Sequence, residues 1–149
     1  MSIYTGIDPG KSVGIAVIDT NVGKVFAFKM ANTEADIKNI LKAYAIPGIA
    51  IIEAVHAFPG QGVTSMFTFG QNYGFLRGCL VALGISFIEV TPQKWMAYFG
   101  LKKDKEEAGT DYKKRILQKA QNLFPNSNVT LQTADSLMLC EYLKQTNRS

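Results

Sequence analysis

Three carboxylates stand out by where they fall. Asp8 ends the run "SIYTGID", Glu53 ends "IAIIE", and Asp135 opens the largely apolar stretch "ADSLMLCEYL". A carboxylate buried among apolar side chains is costly unless it is paired or bound to a cation. Asp8 precedes Pro9-Gly10 and can also be read as a turn former, and Asp135 as a helix cap. Glu53 is harder to explain away, because it follows Ile49-Ala50-Ile51-Ile52 and precedes Ala54-Val55, which makes it half-buried. Three such acids meeting would form a hard, oxygen-rich site suited to Mg²⁺ or Mn²⁺. Two ions about 4 Å apart can activate water on one side of a phosphodiester and hold the leaving oxygen on the other.

A nucleotide-binding loop is the rival use of the first acid's neighbourhood. Gly10-Lys11-Ser12 looks like the end of G-x-x-x-x-G-K-[ST], but Thr5 stands where the first glycine is required and Gly6 is one position too close. Val13, Ile15 and Val17 then continue as a β-branched strand where that motif needs a helix. The phosphate-loop reading is set aside.

The elements that must carry the acids follow from period and punctuation. Residues 2–8, 12–19 and 23–29 read as three strands joined by short turns, an antiparallel meander. Thr33 caps a helix with Glu34 and Asp36 in its first turn and Ile37, Ile40 and Leu41 at helical spacing. Residues 49–53 form a buried strand. A long helix over 62–83 carries a seam of Met66, Phe69, Tyr73, Leu76, Leu80 and Leu83. Gly70, Gly74 and Gly78 form a second line on it, which suggests that another backbone packs close there. Residues 85–90 are a strand, Thr91-Pro92 opens a short helix with Trp95, and helices follow over 111–124 and about 133–144. The prediction is an α/β fold: a mixed five-stranded sheet, three antiparallel strands then two parallel ones, flanked by helices. In such a sheet the first and fourth strands can lie side by side, bringing Asp8 and Glu53 to one edge.

Composition narrows the class. The chain has 149 residues, 47% apolar and 19% charged, and reads as one domain over 1–149. It has no apolar run long enough to span a membrane and no basic-then-apolar leader, so an intracellular, cytoplasmic protein is expected. Cys79 and Cys140 sit among apolar residues with no C-x-x-C pair, so free thiols are expected and structural zinc is not. The net charge is +4. Lys102, Lys103, Lys105, Lys113, Lys114, Arg115 and Lys119 cluster against Asp104, Glu106, Glu107 and Asp111. That run is either a solvated, salt-bridged surface or a path for a phosphate backbone.

The sequence resembles the RuvC-type Holliday junction resolvases, in particular the small kind found in bacteriophages. The residues that carry the resemblance are "GIDPGKSVGIAV", "IIEAVHAFPGQGVTSMFTFGQNYGFLRGCLVALG", "VTPQKW", "LFP" and "ADSLMLCEY". It implies a ribonuclease H-like fold, a homodimer, no small-molecule cofactor, and Mg²⁺-dependent paired nicks in branched DNA, with Mn²⁺ as a substitute and two ions in the site. Carried over by position, Asp8, Glu53 and Asp135 are catalytic metal ligands. The family's fourth acid is absent, and Gln132, expected on the same helix face as Asp135, offers a neutral oxygen in its place. The resemblance also makes Lys113 the catalytic lysine, with Lys114 its near competitor and Lys102 or Lys103 of the preceding loop as further candidates. DNA contacts are expected from Lys102, Lys103, Lys114 and Arg115, and from the loop and helix start at Gly60, Gln61 and Phe67. His56 is read as positional or phosphate-contacting, Phe69 as core and Trp95 as packing. Two other functions share these features: a branched-DNA-binding module that cuts weakly or not at all, and a YqgF-type RNA-processing nuclease.

Overall fold

Strands alternate their side chains between two faces, and both faces of this sheet are covered. A computed structural model describes residues 2–10, 13–54, 56–57 and 59–147. The strands are β1 (Ile3–Ile7), β2 (Gly14–Asp19), β3 (Lys24–Lys29), β4 (Ile49–Glu53) and β5 (Ser86–Val90). The helices are α1 (Glu34–Tyr44), α2 (Val63–Ala82), α3 (Pro92–Tyr98), α4 (Gly109–Leu123) and α5 (Ala134–Thr146). The sheet runs β3-β2-β1-β4-β5, antiparallel across β1, β2 and β3 and parallel from β1 through β4 to β5. This is the mixed sheet expected from the sequence. The second strand is shorter than expected: it starts at Gly14, and Lys11 and Ser12 lie outside the described residues.

Ile7, Ile15, Ala50 and Ile52 point to one side and pack with Leu41 of α1 and with Leu76 and Leu80 of α2. Ala16, Ile18 and Ile51 point to the other and pack with Trp95, Ile116, Leu137 and Met138 of α3, α4 and α5. Two caps work as the sequence predicts. Thr33 Oγ1 accepts from the Asp36 amide at 3.1 Å, and Thr91 Oγ1 accepts from the Lys94 amide at 3.3 Å with Pro92 in the first turn. The fourth helix starts two residues early, at Gly109, and ends at Leu123. Cys79 and Cys140 are buried free thiols. No helix among the described residues is long and apolar enough to cross a membrane.

Helix α5 lies directly on β1, and a glycine makes this possible. A Cβ on Gly6 would collide with the Ser136 carbonyl and stand 2.6 Å from the Cys140 amide nitrogen. Only a residue without a side chain admits a helix backbone there. The Cys140 thiol donates to the Tyr4 carbonyl at 2.9 Å across the same contact. On β2, a Cβ on Gly14 would collide with the Phe28 carbonyl of β3 and stand 3.0 Å from the Gln132 carbonyl oxygen of the turn before α5.

The glycine line on α2 has no neighbour among the described residues of this chain. A Cβ on Gly70, Gly74 or Gly78 would meet nothing within 4 Å, so no backbone among the described residues packs against it. The apolar seam of that helix reaches the sheet core only in its later part, with Leu76 and Leu80 buried and Tyr73 and Leu83 packed beside them. Met66 and Phe69 line an open recess instead, so Phe69 is not the core residue expected.

Candidate active site

The register of two strands brings two acids together. Ile7 of β1 pairs with Ile52 of β4 in parallel, so the next residue on each, Asp8 and Glu53, stand side by side where the strands end. Asp8 is 6% exposed, and its amide donates to the Gly14 carbonyl at 3.1 Å to close the β1–β2 turn. Glu53 is half-buried and accepts a hydrogen bond from Trp95 Nε1 to Oε2 at 2.8 Å. Asp135 is the second residue of α5, the helix held over β1 at Gly6, and is half-buried.

The electrostatics of the three acids are linked. Burial pushes the Asp8 carboxyl up to about 9, and the charges of Glu53 and Asp135 push it the same way. Burial raises Glu53 to about 7; the Trp95 hydrogen bond opposes this and the Asp135 charge adds to it. Asp135 is also raised by burial, with the Lys113 ammonium pulling it down. Two desolvated carboxylates beside each other cannot both carry charge near neutral pH without a counter-charge.

These donors fit a hard divalent ion in kind and in field, since they are carboxylate oxygens, desolvated and mutually repelling. Among the described residues, no three His, Cys, Asp or Glu side chains stand close enough to complete a coordination shell. The trio therefore shares a field without forming a finished cage.

A recess of about 360 Å³ opens beside Asp8 and Asp135, lined also by Tyr112, Lys113, Leu131 and Gln132. This separates the candidate lysines: Lys113 lines the recess, whereas Lys102, Lys103 and Lys114 do not. Gln132 reaches the recess from the turn that precedes α5, since that helix begins at Ala134. The expected shared helix face with Asp135 is thus corrected. Thr130 and Thr133 form the turn, with the Thr130 amide donating to Thr133 Oγ1 at 3.1 Å. Glu141, six positions on, is tied to Lys144 at 3.1 Å and to Gln145.

Lys102 and Lys103 are exposed on the loop between α3 and α4. Arg115 faces inward to that loop. Its guanidinium forks onto Glu107, with Nε to Oε2 at 3.1 Å and Nη2 to Oε1 at 3.0 Å, and Nη2 also donates to the Lys102 carbonyl at 2.6 Å. It lies 5.2 Å over the Tyr112 ring, and Tyr112 Oη donates to the Leu101 carbonyl at 2.6 Å. Gly60, at φ +83°, and Gln61 occupy the loop between β4 and α2, where Val55 and Phe58 lie outside the described residues. His56, Gln61 and Phe69 line a smaller recess there, and Phe67 is 68% exposed.

Sequence reasoning missed two residues. Trp95, read as packing, is fully buried and also binds Glu53. Tyr112 was not singled out, though it lines the recess and braces the basic loop. The signal for Trp95 was weak: a polar tip on a core residue, one turn after the strand that pairs with the Glu53 strand.

No protein-family model matches the chain, and neither does any curated protein sequence. Solved structures do. Thermus thermophilus RuvC in complex with a Holliday junction substrate matches at TM-score 0.67 and 12% identity, over 97% of this chain and 96% of that one. A second Thermus thermophilus RuvC structure matches at TM-score 0.62 and 13% identity, over 96% and 95%. The Fowlpox virus resolvase in complex with Holliday junction DNA matches at TM-score 0.54 and 18% identity, over 95% and 99%. At these identities the likeness establishes the fold, which is ribonuclease H-like.

Proposed function

We propose that residues 1–149 form a single nuclease domain that resolves four-way and other branched DNA junctions by paired, divalent-ion-dependent nicks. One observation supports this best: Asp8, Glu53 and Asp135 reach the same end of the sheet from β1, β4 and α5, beside a recess that holds Lys113. The fold is also that of proteins solved with Holliday junction DNA.

Asp8, Glu53 and Asp135 would hold Mg²⁺ or Mn²⁺, with the Gln132 amide oxygen as a neutral fourth donor. Such an ion lowers the pKa of bound water and neutralises charge on a phosphoryl oxygen. In the reaction a water oxygen bonds to phosphorus, the bond to one bridging oxygen breaks, and that oxygen leaves with a proton. The Lys113 ammonium offsets charge that grows on the phosphate as this happens. Lys102, Lys103 and Lys114 lie outside the recess and supply phosphate contacts, joined by Gly60, Gln61 and Phe67 from the β4–α2 loop and helix start. Arg115 holds the loop that carries Lys102 and Lys103. The proposed location is intracellular.

Two nicks at symmetric positions need two sites, and a two-fold homodimer provides them. The outer face of α2 suits that role, with Val63, Phe67 and Val81 exposed and Gly70, Gly74 and Gly78 open.

A second reading keeps the branched-DNA specificity and gives up the cutting. It is favoured by the neutral Gln132 in place of a fourth acid. Cleavage of a mobile four-way junction by the purified protein, with and without Mg²⁺ or Mn²⁺, separates the two. Ion-dependent nicking of the junction in preference to linear duplex supports the nuclease. Tight junction binding with no product at any ion concentration leaves the binding module, and cleavage of structured RNA instead of the junction overturns both.

A further inference from the structure

We infer that Trp95 is a positioning residue for Glu53: its indole N–H holds Oε2 and leaves Oε1 for the cation. The inference rests on the reading of Glu53 as an ion ligand. Trp95 is fully buried, and an indole can only donate, so its N–H needs an acceptor inside the protein. The acceptor it has is the candidate ligand itself, Glu53 Oε2 at 2.8 Å.

Both partners sit on rigid elements. Glu53 pairs with Val90 across β4 and β5, and the Ala54 amide donates to the Val90 carbonyl at 2.7 Å. Helix α3 follows β5 directly, its start fixed by Thr91 Oγ1 and Pro92, so Trp95 comes back over the end of β4 one turn later. The ring packs in the same core as Ile51, Ile116 and Leu137. That packing fixes the indole plane and, through it, the rotation of the carboxylate. A neighbour that fixes a ligand's orientation in this way changes metal affinity by roughly 10–100-fold.

Trp95 is the only tryptophan, so the protein has a single indole N–H resonance. In the metal-free protein this resonance should lie downfield and exchange slowly. Glu53→Gln, which keeps an acceptor, should move it slightly, and E53A should move it most. Replacing Trp95 with β-(3-benzothienyl)alanine keeps the ring's shape and exchanges the N–H for sulfur. That protein should melt near the parent's temperature and bind Mn²⁺, read by electron paramagnetic resonance, roughly 10–100-fold more weakly. Trp95→Phe, which also leaves a cavity, should lose both stability and affinity.

An indole resonance unmoved by E53A overturns the inference, as does unchanged Mn²⁺ affinity in the isostere. Either result leaves Mn²⁺ binding by the parent, and with it the proposed function, intact. A parent protein that binds no Mn²⁺ removes the ion-ligand reading of Glu53 and the positioning role together.

Discussion

The carboxylate site and the outer face of α2 depart from ordinary protein surfaces in opposite ways. At the site, an ionisable group is buried: Asp8 is 6% exposed beside two further acids. On α2, apolar surface is open: Val63 is 84% exposed and Val81 69%. Each region is built by glycines used differently. Gly6 admits the α5 backbone and so brings Asp135 towards Asp8, whereas Gly70, Gly74 and Gly78 admit nothing from the described residues. Buried acids side by side and exposed apolar surface each carry a free-energy cost that a partner relieves, a cation in one case and a second apolar face in the other. The comparison separates what the fold completes by itself from what it leaves to be completed.

The largest effects are expected at the site. Asp8→Asn keeps the side chain's size and removes the charge, and should lower junction cleavage by roughly 10³-fold while leaving junction binding within a few-fold. Equal cutting by the variant and the parent protein would remove Asp8 from the chemistry. Gly6→Ala tests how the site is assembled. Its methyl group meets helix backbone, which cannot rotate away, so a stability loss of about 2–3 kcal/mol is expected in urea unfolding, with weaker ion binding because Asp135 moves with α5. A G6A variant as stable as the parent would mean that α5 sits farther from β1.

The site should also set how stability depends on pH. Asp8 rises from 3.8 unfolded to about 9 folded, and Glu53 from 4.5 to about 7. Between those limits the folded form keeps protons that the unfolded chain has released. The ion-free protein is therefore most stable, as far as these groups go, below about pH 4. It loses that stability as pH rises towards 9. A bound cation favours the ionised carboxylates and removes the loss. Scanning calorimetry should show a larger rise in Tm on adding Mg²⁺ at pH 8 than at pH 5. An equal rise at both would mean that the ion acts elsewhere.

On the other side of the comparison, Gly74→Leu should act with opposite signs on folding and association. The side chain enters open space in the single chain, and glycine costs a helix interior about 1 kcal/mol, so the monomer should gain up to that amount. The same side chain blocks a close approach by a second copy, and sedimentation should show the dimer weakened. A variant that stays dimeric places the two-fold contact elsewhere.

The sequence made local features legible and left the long-range ones hidden. Strand alternation and the Thr33 and Thr91 caps were readable because each is decided within a few residues, and the two parallel strands because a helical crossover precedes each. The three acids stood out in the sequence because each borders an apolar run. The role of Gly6 was not readable, because it depends on a helix some 130 positions later that packs onto it. Trp95 and Glu53 are 42 positions apart, and nothing in either neighbourhood announces the other. Gln132 was placed on a helix because helical spacing from Asp135 allowed it, whereas the Thr130–Thr133 turn delays the helix to Ala134.

Arg115 shows the same limit for charge, and it sharpens the contrast between groups that the fold satisfies and groups left for a partner. Counting cations between Lys102 and Lys119 cannot tell which are free. Lys102 and Lys103 are exposed, whereas Arg115 is forked onto Glu107 and bonded to the Lys102 carbonyl. A lysine that contacts phosphate releases a counterion, so K102A or K103A should lower the slope of log affinity against log salt by about 1. R115A should weaken junction binding by only a few-fold, with the slope nearly unchanged, because it loosens the loop without removing a phosphate contact. E107Q should reproduce that result, and the double variant should add little to either one. If R115A lowers the slope as K102A does while E107Q has no effect, the guanidinium leaves Glu107 for the DNA, and Arg115 joins the groups that a partner completes.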